Sequence, residues 1–153
     1  MKFTTQEEYG LRLLVRLGYA YNKGVGLTIP EISEHENLSQ HNVAKILRIL
    51  RLGGLLESER GRLGGYALTR NPKEMLISNI LDVLGEKFFD INYCNSHISD
   101  NEMMICKHTA NCSVRSLWRI IQYSIDNAVK DLTLNDLLQE ETFLFKQINK
   151  QVS

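Results

Sequence analysis

A mainly α fold carrying one small β-hairpin is what this sequence predicts, and three observations predict it. Capping side chains stand ahead of three apolar-periodic segments in the N-terminal third. A basic stretch bracketed by glycines then separates two short apolar runs. Nearer the C-terminus, apolar residues recur at alternating spacings of four and three. Two short helices followed by such a hairpin compose a winged helix-turn-helix, and the long repeat reads as a C-terminal dimerisation helix.

Residues 5–21 form the first expected helix, with Leu11, Leu14, Val15, Gly18 and Tyr21 as its apolar face. Thr4 or Thr5 can cap it, and Glu7 or Glu8 completes a capping box. Thr28 and Glu31 make a second box, and Pro30 is tolerated in the first turn of a short helix ending near Asn37. Ser39 caps a third helix over residues 40–52, whose buried stripe is Val43, Ile46, Leu47 and Leu50. Its opposite face then presents His41, Lys45 and Arg48, flanked by Gln40 and Asn42. Gly53 and Gly54 stop it.

The apolar runs at 55–58 and 66–69 are the expected wing strands, and Glu59 to Gly65 is the hairpin tip. A fourth helix spans about Ile77 to Leu84, and residues 90–112 look irregular. From Ser113 a long helix carries Val114, Trp118, Ile121, Ile125, Ala128 and Leu132 along one seam. Thr133 and Asp136 cap a last helix from Leu134 to about Glu140, beyond which the tail is expected to fray. The expected divisions are therefore residues 1–73 for DNA binding, 74–140 for linker, cysteine loop and dimer helix, and 141–153 for a tail.

Length and composition bound what such a fold can do. The 153 residues suit one principal core, and 43% hydrophobic with 24% charged residues is a globular composition. No apolar run approaches the ~18 residues of a membrane helix. Glu7 and Glu8 precede any apolar stretch, so a secretory signal is not expected and the cytoplasm is the expected location. Net charge is zero, yet residues 1–73 hold eleven Lys and Arg against seven acids, a balance of +4 that leaves −4 for the rest. A basic half beside an acidic half points to a polyanion on one side only.

Arg, Lys and amide side chains on an exposed helix face match the donor and acceptor edges of bases, although a solvated polar face shows the same residues. The wing tip shifts the balance towards double-stranded DNA, because Arg60, Gly61 and Arg62 can enter a minor groove or track phosphate. With the caps Thr28 and Ser39, the expected DNA-binding set is Gln40, His41, Asn42, Lys45, Arg48, Arg60, Gly61 and Arg62. A dimer would favour a pseudo-palindromic operator with half-sites about one helical turn apart. Neither a nucleophile–base arrangement nor a phosphate loop suggests an enzyme.

Cys94, Cys106 and Cys112 crowd into nineteen residues, an odd number that argues for metal or redox chemistry over a disulfide framework. Zinc is one reading, with His97 and His108 as further ligands, but paired C-x-x-C knuckles are missing. Free thiols without metal are another.

The run Leu38 to Leu68, with His41-Asn42, Lys45, Gly53-Gly54-Leu55, Ser58-Glu59-Arg60-Gly61 and Gly64-Gly65-Tyr66, resembles the winged helix of the Rrf-two family of bacterial transcription regulators. Ile77 to Val83 is similar to its linker helix, and Leu117-Trp118 falls where its dimer helix starts. The resemblance covers residues 1 to 138. It implies a homodimer whose cysteines hold an iron–sulfur cluster, 2Fe–2S or 4Fe–4S, that senses nitric oxide, iron or cluster supply; thiolates suit such clusters because sulfur is soft. Cys106 and Cys112 resemble the last two ligands, while Cys94 departs from the usual shorter gap.

Cluster-assembly regulators of this family complete the site with a histidine three residues after the last cysteine, where this chain has Arg115, which cannot coordinate. Nitric-oxide-sensing members use an aspartate early in the first helix before Tyr-Gly-Leu-Arg, and here Glu8 precedes Tyr9-Gly10-Leu11-Arg12. The spacing Cys106-Lys107-His108-Thr109-Ala110-Asn111-Cys112 also resembles that branch. Glu8 is thus the implied fourth ligand, against the plainer reading of an acid complementing a helix N-terminus. The alternative function is a cluster-free or zinc-stabilised winged-helix module acting through protein contacts.

Overall fold

Thr4 opens the first helix in the computed structural model, which describes residues 4–59, 64–85, 87, 89 and 112–152. Its hydroxyl accepts from the Glu7 N–H at 3.2 Å, and the Glu7 carboxylate accepts from the Thr4 N–H at 2.7 Å, closing the expected capping box of α1 (Thr5–Tyr21). Thr28 and Glu31 repeat the device on α2 (Ile29–Glu36), which ends on Asn37 in the left-handed region at φ 53°. Ser39 caps α3 (Gln40–Leu52) by accepting from the Asn42 N–H at 3.3 Å.

Strands β1 (Leu56–Glu59) and β2 (Gly65–Leu68) pair antiparallel, each one residue away from the expected run. The offset arises because backbone pairing sets the strands: Leu55 still closes the turn after α3, its N–H donating to Leu50 O, while Gly65 pairs with Glu59. Leu27 bridges Tyr66 with bonds in both directions, 3.0 and 2.7 Å, and so extends the wing sheet to the segment ahead of α2. That approach explains Gly65, where a β-carbon would lie 2.8 Å from the Leu27 carbonyl group.

A 3-10 turn (Pro72–Glu74) leads into α4 (Ile77–Leu84). Later come α5 (Ser113–Val129), α6 (Leu134–Leu137) and α7 (Glu141–Val152). Two expectations change here. Leu132 leaves the seam, because α5 stops at Val129 and the Leu132 carbonyl accepts from the Ile77 N–H at 2.8 Å. Residues expected only as a tail form a helix over Glu141–Val152.

The chain divides into two compact units, one of Met1–Gly85 with Lys130–Ser153 and one of Glu86–Val129. In the first, Leu13, Leu14, Leu17, Ile32, Val43, Leu47, Leu50, Ile80, Leu84 and Leu134 are wholly buried, each contributing roughly 1.5–3 kcal/mol. The stripe Val43, Ile46, Leu47 and Leu50 of α3 is buried as expected. The face of α1 is the expected one only in part: Leu14 and Gly18 are buried as expected, together with Gly10, Leu13, Leu17 and Ala20, whereas Leu11 and Val15 are half-buried and Tyr21 is exposed. Gly10 carries no apolar weight in a periodicity count, yet Leu84 packs onto it, and Leu138 packs onto Gly18, where a β-carbon would lie 2.9 Å from a Leu138 methyl. In the second unit, α5 buries none of its residues within its own chain. Among the described residues no helix is long and apolar enough to cross a membrane.

Candidate nucleic-acid interface

Burying one stripe of α3 turns the rest of the helix outward, so its surface chemistry follows from the core. Gln40, His41, Asn42, Lys45 and Arg48 are all exposed. The thirteen residues of α3 include no Asp or Glu, and Lys45 and Arg48 form no ion pair among the described residues. The Ser39 hydroxyl at the helix start is exposed while it caps. Thr28 is more committed: its hydroxyl donates to Glu31 Oε2 at 2.7 Å and accepts from the Glu31 N–H. Those bonds, first from the hydroxyl and then from the Thr28 N–H, hold the Glu31 carboxyl below its ordinary value. Arg60, Gly61 and Arg62 lie outside the described residues, beyond the last rung of the wing ladder at Glu59 and Gly65.

The first helix of the helix-turn-helix, α2, is tied to α1 by one carboxylate. Glu36, whose side chain is only 10% exposed, accepts from Arg12 Nε at 3.2 Å and Arg16 Nε at 2.8 Å, and its carbonyl accepts from Arg12 Nη2 at 2.7 Å. Arg12 therefore satisfies an orphan carbonyl at the end of α2 and anchors that end to α1. Glu8 joins this group at its edge, its Oε1 3.9 Å from Arg12 Nη1, with the side chain well exposed. A solvated pair at that distance holds Glu8 weakly. Composition revealed these charges but not their meeting.

Of the three cysteines, Cys94 and Cys106 lie outside the described residues. Cys112 is half-buried directly before α5, and its Sγ accepts from the Arg115 N–H at 3.4 Å. Sulfur there stands at the start of a helix, oriented by one backbone N–H, and as a soft donor it is of the kind an iron–sulfur group would take. Arg115 contributes its backbone to that arrangement and no ligand atom.

A capped recognition helix with an acid-free outer face, a β-wing behind it and a sheet rung back to the preceding segment define a winged-helix DNA-binding regulator. The family model described as "Rrf2: Iron-dependent Transcriptional regulator" matches residues 3–140, and the chain belongs to that family. It is 28% identical over 150 residues to the regulator CymR of Bacillus subtilis, covering 95% of this chain and 99% of that one. The solved structure of CymR, "the Global Cysteine Regulator", aligns over 90% of this chain and 96% of that one with a TM-score of 0.68. The regulator NsrR of Geobacillus kaustophilus is 29% identical over 144 residues, 94% of each chain. The structure of T. potens IscR, 25% identical, aligns over 90% of this chain and 86% of that one with a TM-score of 0.69. This chain is a transcription regulator and not an enzyme.

Proposed function

We propose that the chain is a homodimeric regulator whose operator affinity is set by an iron–sulfur cluster on Cys94, Cys106 and Cys112, with Glu8 as the fourth ligand and nitric oxide as effector. The observation that carries the DNA-binding part is the outer face of α3, where amides, a histidine and unpaired cations replace every acid. Gln40, His41, Asn42, Lys45 and Arg48 face a major groove in this reading, Ser39 and Thr28 set the helix starts, and Arg60, Gly61 and Arg62 reach the adjoining minor groove.

Support for the cluster comes from the iron-dependent description of the family and from the Cys112 sulfur at a helix N-terminus. When bound, the cluster supplies a site for small diatomic ligands. A carboxylate is a harder partner for iron than a thiolate, which suits Glu8 to an exchangeable position. Support for the homodimer comes from α5, where Val114, Trp118 and Ala128 stay exposed and Ile121 and Ile125 half-buried along the expected seam.

The test is protein purified without oxygen, with an absorption spectrum and quantified iron, sulfide and zinc. A sulfur-to-iron charge-transfer band with matching iron and sulfide is expected, and Glu8→Ala should retain it while losing much of the cluster-dependent change in DNA affinity. Zinc without sulfide, or no metal at all, would select the alternative, a cluster-free or zinc-stabilised winged-helix module acting through protein contacts.

A further inference from the structure

Between α3 and the wing, Arg51 Nη1 donates to Ser58 Oγ at 3.4 Å. Both residues are exposed, and no carboxylate lies within ion-pair distance of Arg51 among the described residues. The turn that joins their elements is tightly bonded. Gly54 N–H donates to Arg51 O at 3.0 Å, Leu55 N–H to Leu50 O at 3.0 Å, and the Thr69 hydroxyl to Gly54 O at 2.8 Å. Gly54 takes φ +73°, a conformation that glycine adopts without strain, and α4 packs on the other side of the turn through Val83 against Gly53. Arg51 and Ser58 are thus held by rigid backbone, while the guanidinium spends one of its five N–H donors on a long bond.

We propose that Arg51 and Ser58 form a phosphodiester-binding site that straddles the DNA strand between the recognition helix and the wing. The proposal rests on the reading that α3 enters a major groove and the wing the neighbouring minor groove. Those two grooves are separated by a single sugar–phosphate strand, and the side-chain pair that spans α3 and β1 stands over it. The ligand chemistry agrees. A guanidinium with free donors beside a hydroxyl that can still donate offers hydrogen bonds only to an acceptor, and its charge selects an anionic one. Glu57, the neighbouring acid on β1, alternates to the other face of the strand and does not neutralise the pair. Arg51 follows Lys45 and Arg48 at steps of three along α3, and of the three it is the one with a hydrogen bond to the wing among the described residues. The competing role for Arg51 is a cation at a helix C-terminus, which complements the macrodipole with no ligand.

A phosphate contact carries no base information, so its loss should weaken binding on any sequence and lower the salt dependence. The probe is a fluorescein-labelled pool of randomised duplexes about 30 base pairs long, room for two half-sites. Full-length wild type, Arg51→Ala, Arg51→Gln, Arg51→Lys and Ser58→Ala are titrated by anisotropy from about 0.05 to 0.2 M salt, with thermal unfolding in parallel. Arg51→Ala and Arg51→Gln should each lose about tenfold in affinity and about one unit of salt slope. Arg51→Lys should keep the slope, and Ser58→Ala should keep the slope with weaker binding. A neutral Arg51 variant with wild-type slope and affinity would overturn the site, and a lowered unfolding midpoint beside it would identify the helix-end role. Wild type without salt-dependent duplex binding would instead remove the groove reading on which the site rests.

Discussion

Leu84 lies directly against the backbone of Gly10, leaving no room there for a β-carbon. The contact seats the end of α4 on α1, and the Gln6 side-chain amide donates to the Leu84 carbonyl beside it. Eight residues along α1, Gly18 receives Leu138 from the segment that follows α6. The chain thus leaves the first unit after Gly85 and rejoins it at Lys130 through elements gripped by the helix that also carries Glu8, Arg12 and Arg16.

Gly10→Ala should lower stability despite the better helix propensity of alanine. Overpacking costs about 1–3 kcal/mol and propensity returns up to ~1. Leu84 is wholly buried and cannot swing aside, whereas Leu138 is half-buried, so Gly18→Ala should cost less. Paired urea denaturation curves check the order, which would be reversed if Leu84 had space to move.

Glu36→Ala should loosen α2 from α1, because Arg12 and Arg16 both lose their carboxylate. The two guanidinium groups are partly exposed, so the cost is discounted to about 1 kcal/mol, shrinking as salt is added. Chemical denaturation at low and high salt measures it, and equal costs at both would assign the loss to packing.

Glu31 should titrate below an ordinary glutamate, since the Thr28 hydroxyl and N–H favour its charged form. Its folded value is depressed, so the capping box adds stability above the unfolded glutamate value and loses it as the pH falls through the folded one. Carboxyl NMR titration should show that depression reduced in Thr28→Val, which loses the hydroxyl donor and keeps the backbone N–H. An unchanged midpoint in the variant would place the cause elsewhere.

Ile125→Glu should yield a monomer with weakened operator binding, because it sets a charge into the apolar seam of α5. Sedimentation velocity reads the outcome, and a variant that is still dimeric would mean that another surface joins the subunits.

The sequence by itself determined α3 and what it displays. Ser39, Val43, Ile46, Leu47, Leu50 and Gly53 are all local signals on one helical period, so the ends of the helix, its buried stripe and its outward amides and cations follow without tertiary information. The capping boxes at Thr4 and Thr28 are local for the same reason. Tertiary structure decided whatever depends on residues far apart in the chain. Gly10 becomes a buried seat only because Leu84 arrives there, and the buried face of α1 takes in Leu13 and Leu17 while Leu11 and Val15 stay half-buried. Leu132 trades a place in the seam for a bond to Ile77, Leu27 joins the wing through Tyr66, and Glu36 gathers two arginines from another helix. Arg51 stands in the last turn of α3, and only the turn that brings Ser58 beside it makes the proposed anion site. Local periodicity sets which face of a helix is apolar, but backbone pairing and close approach choose between nearly equivalent faces, and those contacts have no sequence period.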